Sequence, residues 1–213
     1  MSGRRRRRDH LDSWVPKTKL GRMVKEGQLS SIYEVFEEGY KIKEVEIVDI
    51  LVPNLRDDVI DINLVQKQTD AGERSRFKSI VAVGNHDGLI GLGSGKAPRV
   101  RGAIEKGIKD AKINLYPIRR GCGSWECDCG EPHTIPFKIS GKSGSVTVTL
   151  LPGTKGLGLV AGDTARRVLA MAGVEDCWTK SVGATKTTHS FSFATFEALK
   201  NTVKLMTPQD WAM

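Results

Sequence analysis

The sequence predicts an α+β fold in two parts, and three observations predict it. Strand-like segments broken by glycine turns run from 58 to 97 and again from 137 to 151. Stretches with apolar residues at three- and four-residue steps follow each set, at 98–115 and 163–172. A glycine- and cysteine-rich connector lies between. A chain of 213 residues is long enough for one large or two small domains. The expected division is a basic extension over 1–45, a first domain over 46–115, the connector over 116–136 and a second domain over 137–213.

Within the extension, an uninterrupted Arg4, Arg5, Arg6, Arg7, Arg8 run is followed by Trp14-Val-Pro16 and a short amphipathic helix near Ser31–Glu38, ended by Gly39 and capped by Ser30 or Ser31. After a helix-forming segment, Ile60, Ile62 and Leu64 alternate with Asp61 and Asn63, which predicts a half-buried strand over Asp58–Val65. Thr69–Arg76 reads as a polar loop bearing Arg74 and Arg76. Ile80, Val81 and Val83 make a second strand, Gly84–Gly88 a turn, and Leu89, Ile90 and Leu92 a return strand. In that return strand Gly91, Gly93 and Gly95 leave the backbone bare, so a close approach is expected there, and a phosphate is the expected visitor. Lys96 is delivered to the start of a helix with Pro98 at its first position. Val100, Ala103, Ile104, Ile108, Ala111 and Leu115 form its inner face, and Arg99, Arg101, Lys106, Lys109 and Lys112 its outer one.

Spacing excludes two small-ligand readings of these glycines. A nucleotide-binding phosphate loop requires glycine at 90 and Ser or Thr at 97, where the chain has Ile90 and Ala97; a dinucleotide fingerprint requires glycine at 96, which is Lys96. The α-β-β-β-α order is the layout of a double-stranded-RNA-binding module, which reads shape and backbone. An ordinary glycine hairpin beside a solvated basic helix fits the same segment.

In the second domain, Phe137–Ile139 and Val146–Leu151 read as strands joined by Gly141–Gly144, with a loop over Pro152–Gly156. Asp163 or Thr164 caps a helix that buries Ala165, Val168, Leu169 and Ala172 and stops at Gly173. A short strand over Val174–Thr179 and a last helix over Ser192–Leu205 follow.

The net charge of +8 is unevenly placed. Residues 1–25 hold nine basic and two acidic side chains, residues 26–68 four and ten, and residues 94–120 eight and two. Such segregation predicts an anion-binding side and a separate acidic side, the latter suited to a basic neighbouring protein. The arginine run serves nuclear targeting or nucleic acid equally well. No apolar segment follows it and none elsewhere approaches membrane-spanning length, so a soluble intracellular protein is expected.

Cys122, Cys127, Cys129 and His133 lie within twelve residues as C-x4-C-x-C-x3-H, a soft donor set suited to tetrahedral zinc. Disulfides and free thiols are the alternatives, of which disulfides conflict with a reducing compartment. Cys177 beside Trp178 reads as a core residue. His86 is placed in a hairpin tip, solvated or near phosphate, and His10 and His189 have no nameable partner. No strand-turn-helix nucleophile elbow occurs. A zinc-dependent RNA-modifying enzyme would draw its general base from Glu126 or Glu131.

Phe77-Lys-Ser-Ile-Val-Ala-Val-Gly84, Gly88-Leu-Ile-Gly91-Leu-Gly93 and Gly95-Lys-Ala97 resemble the first-domain signature of the universal small-subunit ribosomal protein five (S-five) family. Leu151-Pro-Gly-Thr-Lys-Gly-Leu-Gly158, Met171-Ala-Gly-Val-Glu-Asp-Cys177 and Lys180-Ser-Val-Gly183 resemble its second domain. Pro132-His-Thr134, Thr207-Pro208 and Trp211 resemble the archaeal and eukaryotic branch rather than the bacterial one, and the short arm, without a long Arg-Gly extension, favours an archaeal form. The resemblance implies a double-stranded-RNA-binding-like first domain and a small α+β second domain with a left-handed crossover. It implies a non-enzymatic structural role: binding small-subunit rRNA beside neighbouring ribosomal proteins, with messenger RNA nearby at its way in and at the decoding region, in the cytoplasm, without membrane or small-molecule substrate. The family's rRNA-contacting loop, tied to decoding accuracy, maps onto Ala71–Arg76, where Asp70 and Glu73 dilute the charge. The RNA-binding residues expected are Arg4 to Arg8, Arg74, Arg76, Gly91, Gly93, Gly95, Lys96, Arg99 and Arg101. A free-standing double-stranded-RNA-binding regulator is the alternative. The zinc reading rests on the residues alone, since eukaryotic members of the family lack the cluster.

Overall fold

The computed structural model describes residues 14–204 apart from Asp128. The Arg4–Arg8 run, His10 and the Thr207–Trp211 motif therefore lie outside the described residues. The chain divides between Leu55 and Arg56 into two compact units.

The first unit contains three short helices, α1 (Lys19–Lys25), α2 (Ile32–Glu37) and α3 (Val45–Leu51). Only the second of these is legible as an element with ends. Ser31 caps it, and Glu34 reaches back to the Ser31 backbone N–H in a capping box; Gly39, at φ 71°, lies just past the end. α1 is capped by Thr18, whose hydroxyl accepts from the Gly21 N–H at 3.0 Å. Glu44 then accepts the N–H groups of Lys17 and Thr18, at 3.1 and 2.7 Å, and ties the start of this unit to its third helix. Those bonds hold the Glu44 carboxyl below its ordinary range against the opposing effect of burial.

The second unit holds two four-stranded sheets. The first has the order β1 (Arg56–Thr69), β2 (Gly72–Gly84), β3 (Leu89–Ala97) and β4 (Leu115–Pro117), all antiparallel. Helix α4 (Val100–Ile113) connects the last two. The second sheet has the order β5 (Ile139–Ser143), β6 (Val146–Pro152), β8 (Cys177–Val182) and β7 (Leu159–Val160). β7 and β8 are parallel and are joined by α5 (Asp163–Ala172), while α6 (Thr188–Lys200) closes the fold.

The strand expected to end at Val65 and the loop expected from Thr69 to Arg76 are one long ribbon. β1 and β2 pair from Arg56↔Gly84 out to Thr69↔Gly72, so only Asp70 and Ala71 form the turn and Arg74 and Arg76 sit on β2. Gly72, the first β2 residue after the turn, takes the positive φ, 108°. A bulge at Ile60 shifts the register of β1. The two carbonyls it disturbs, Val59 and Ile60, accept from Arg167 Nη1 of α5 at 3.1 and 3.3 Å. Ile62 and Leu64 are exposed, against the half-buried expectation, because the ribbon runs past the end of α4 and no described residue covers them.

Residues directly opposite in an antiparallel pair share a face, so the register divides the first sheet cleanly. One face presents Gly91, Gly93 and Gly95 to α4. A Cβ on Gly91 would lie 2.1 Å from the Ala111 carbonyl oxygen, on Gly93 2.2 Å from the Ala111 nitrogen, and on Gly95 2.0 Å from the Ala103 carbonyl oxygen. The helix answers with its own small residues, Ala103, Gly107 and Ala111, all buried. The close approach expected at these glycines is therefore real, but the visitor is the backbone of α4 and not a phosphate. Pro98 precedes the helix, Arg99 is its N-cap and Val100 its first residue, two positions later than expected.

The opposite face of the same sheet contributes Ile80, Ala82, Ile90 and Leu92 to the main core, together with Val168, Leu169 and Met171 of α5, Phe196 and Leu199 of α6, and Val146, Val148 and Leu150 of β6. α5 and α6 each touch both sheets, so one continuous core runs from β3 to β6. Gly162 rather than Asp163 or Thr164 is the α5 N-cap, and the expected stop at Gly173 stands, at φ 80°. The hairpin tip between β2 and β3 docks on that C-terminus. His86 Nδ1 meets the Ala170 carbonyl at 2.8 Å, the His86 and Gly88 N–H groups donate to the Met171 and Ala172 carbonyls, and Arg120 donates to the Gly173 carbonyl while pairing with Asp87. His86 is thus part of a helix cap while its side chain stays exposed, as expected for a hairpin tip.

Candidate nucleic-acid interface and metal centre

The register places a row of cations on the core-facing side of the first sheet, beyond the point where the core ends. Lys67 stands opposite Arg74, Val65 opposite Arg76, and Lys78 opposite both Asn63 and Lys96. Lys67, Arg74, Arg76, Lys78 and Lys96 therefore share one face of the ribbon and of the end of β3. Four of them, with Val65, Gln66 and Thr69, line a shallow cavity of about 250 Å³, the exception being Lys78. Between Asn63 and Thr69 on β1, and between Gly72 and Lys78 on β2, this face bears no carboxylate. Glu73 points to the other side, where it accepts from Gln66 Nε2 at 3.2 Å, so it does not dilute the row. Lys78 also reaches the main core's rim, where its charge adds to burial in holding the His189 imidazole below its ordinary range. His189 stacks edge-on against Phe193 at 4.6 Å.

Arg99 and Arg101 begin α4 on the other side of the sheet. Arg99 supplies no side-chain cap, and Arg101 pairs with Glu105 at 3.0 Å on an exposed surface, a contact of small energetic weight. Of the expected RNA-binding residues, the fold thus gathers Arg74, Arg76 and Lys96, sets Arg99 and Arg101 apart from them, and removes Gly91, Gly93 and Gly95 from contact with any ligand. Lys67 and Lys78 belong to the row and were missed. The signal was present: Arg74, Arg76 and Lys78 alternate at a period of two, which reads as one face of a strand once 72–78 is a strand and not a loop.

The connector folds back on itself through the Gly121↔Thr134 bridge, whose two N–H···O bonds are 2.8 and 3.1 Å. That closure gathers Cys122, Cys127, Cys129 and His133, whose donor atoms all lie within 4.8 Å of one another. Cys127 Sγ is 3.8 Å from His133 Nε2, and tetrahedral zinc at ordinary bond lengths separates its donors by about 3.5–3.8 Å. All four cysteines are free thiols, so the disulfide alternative does not describe this arrangement. A buried His133 Nδ1 donates to Asp176 Oδ2 at 2.8 Å, which leaves the Nε2 lone pair of the neutral ring facing the sulfurs. The Lys155 backbone N–H and the Cys129 side chain stabilise the Cys127 thiolate and bring its pKa down to about 6. For Cys129 the Glu131 backbone N–H acts the same way, but burial and the neighbouring sulfurs outweigh it and the thiol is pushed up. For His133 burial favours the neutral ring, yet Cys122, Cys127 and Asp176 together raise its pKa. Such mutual dependence among three sulfurs and an imidazole is the electrostatics of a site that a dication would relieve. The group fits a structural metal: four protein donors, no fifth side chain gathered with them among the described residues, and a backing carboxylate.

Glu131 is engaged on the surface with Lys155 Nζ at 2.7 Å. Cys177 is buried, and burial pushes its thiol up to about 11, as suits a core residue.

The family model described as ribosomal protein S5, N-terminal domain, matches residues 55–119, and that described as ribosomal protein S5, C-terminal domain, matches residues 141–213. The small ribosomal subunit protein uS5 of Pyrobaculum arsenaticum is 60% identical over 192 residues, covering 90% of this chain and 95% of that protein. The uS5 proteins of Ignicoccus hospitalis and Aeropyrum pernix are 58% and 54% identical, covering 94% and 100% of this chain and 95% and 97% of their own lengths.

Proposed function

This chain belongs to the ribosomal protein S5 family, and from that premise we propose that it is a structural, non-enzymatic component of the small ribosomal subunit that binds rRNA in the cytoplasm. The observation that carries the RNA reading is the row Lys67, Arg74, Arg76, Lys78 and Lys96 on one face of the β1–β2 ribbon and the end of β3, a face without a carboxylate between Asn63 and Thr69 or between Gly72 and Lys78. Cations spaced along a strand track a phosphate backbone and position a protein without reading sequence. Arg99 and Arg101, on the other side of the sheet, and the Arg4–Arg8 run would make separate RNA contacts, with neighbouring ribosomal proteins on the acidic surfaces and messenger RNA nearby. The family resemblance supports placement near the decoding region and a part in assembly and accuracy. A free-standing regulator has no support, since relatives matched over nearly their full lengths share the small-subunit description. No helix among the described residues is long and apolar enough to cross a membrane.

Replacing Lys67, Arg74, Arg76 and Lys96 together by Ala should reduce the slope of log K against log salt for rRNA binding by roughly 0.7–0.9 per phosphate contact, about 3 in all. Replacing Arg4–Arg8 should flatten the slope separately. An unchanged slope in the ribbon variant would take the row off the RNA.

We further propose that Cys122, Cys127, Cys129 and His133 hold zinc as a closed structural site. The metal would supply order to a connector with few apolar residues, in which Ile118 and Ile135 are buried and Trp125 is exposed.

A further inference from the structure

No role was assigned to Asp176 from the sequence, yet it is the one buried carboxylate among the described residues. It is 3% exposed, and both oxygens are occupied: Oδ2 accepts from His133 Nδ1 at 2.8 Å and Oδ1 from the Gly158 backbone N–H at 2.7 Å. The backbone binds the same place twice more, since the N–H groups of Glu175 and Asp176 donate to the His133 carbonyl at 2.9 and 3.2 Å. From the other side, the loop between β6 and β7 leans on the connector: the Gly153 N–H donates to Thr134 Oγ1 at 3.3 Å, and Lys155 Nζ bonds Glu131.

We infer that Asp176 is the positioning residue of the proposed metal centre and that its one carboxylate couples metal occupancy to the order of the loop Gly153–Gly158. The inference rests on the zinc reading above. The chemistry is that of tautomers. A neutral imidazole that offers Nε2 to a metal must carry its proton on Nδ1, and an ionised carboxylate, which only accepts, fixes that state and the ring's direction. The same carboxylate's second oxygen holds the Gly158 N–H, so tightening His133 on a metal tightens the loop, and losing the metal slackens both. The loop carries Thr154 and Lys155 on the surface of the second sheet, so the metal would set the shape of a segment that contributes no ligand to it.

Asp176→Asn separates the two bonds, because an amide has one accepting oxygen and a donating nitrogen and cannot serve both N–H groups. With full-length protein and a chromophoric chelator in competition, zinc affinity should fall about 10–100-fold, and the visible spectrum of the cobalt-substituted protein should change in position or intensity. Glu175→Gln, exposed and adjacent, should match the parent in both. In the parent protein, amide exchange at Gly156–Gly158 should slow when zinc is added to metal-free chain. If the parent takes up no zinc, the metal reading falls and this inference with it. If the parent binds zinc and Asp176→Asn binds it equally well with an unchanged cobalt spectrum, the positioning role is overturned while the site stands. Should Asp176→Asn fail to fold, exchange in the parent decides: protection at Gly156–Gly158 that ignores zinc overturns the coupling.

Discussion

Gly93→Val should abolish cooperative folding of the unit from Arg56 onward, and Gly93→Ala alone should destabilise it severely. At this position a first side-chain carbon would stand 2.2 Å from the Ala111 nitrogen and 2.5 Å from the Gly107 carbonyl oxygen. Both are helix backbone atoms, so no rotamer change relieves the contact; α4 must move away from β3 or the sheet must bend. Overpacking against side chains costs typically 1–3 kcal/mol, and displacement of a whole helix should exceed about 4 kcal/mol. Thermal or denaturant unfolding of Gly93→Ala beside Lys96→Ala, an exposed neighbour on the same strand, provides the measurement. Lys96→Ala should stay within about 0.5 kcal/mol of the parent. The competing expectation, a phosphate against the bare backbone, predicts a folded Gly93→Val protein with a selective loss of RNA binding, and that result would reverse the assignment of the glycines.

Cys127→Ser should lower zinc from about one per chain to near zero, and the connector from 116 to 136 should become protease-sensitive while the two sheets remain folded. Cys127 is central because its sulfur lies against His133 and accepts from the Lys155 backbone, so its loss opens both the metal shell and the contact with the β6–β7 loop. The sheets should survive because their core, from Ile80 and Leu92 to Val148 and Leu199, contains no metal donor. Elemental analysis and limited proteolysis check this together. Metal analysis of the parent returning no zinc, with Cys122, Cys127 and Cys129 freely reactive in the native state, would remove the site.

Much of the architecture was legible in local pattern. The Ser cap of α2, the β-branched run around Val81 and the Gly173 stop each express a short-range preference that the fold obeys. The Cys and His spacing was legible for the same reason, as close residues in sequence can be gathered by one turn. What escaped the sequence depended on partners far along the chain. The glycines of β3 announced a close approach but not its agent, which is decided by Ala103, Gly107 and Ala111 on a helix packed across them. Arg74 and Arg76 read as loop residues because Ser, Glu and Gly surround them, and only pairing with Val65 and Lys67 makes the segment a strand. Asp176 lies 43 residues from His133, and no spacing rule connects them. β7, only two residues long, exists because β8 offers it an edge.

The central claim is that this chain is a built-in part of the small ribosomal subunit. Sedimentation of a lysate containing the tagged full-length chain through a high-salt sucrose gradient tests it most directly. The chain should travel with the small subunit and remain there at salt concentrations that strip loosely bound proteins, whereas recovery near the top of the gradient, free of rRNA, would contradict it.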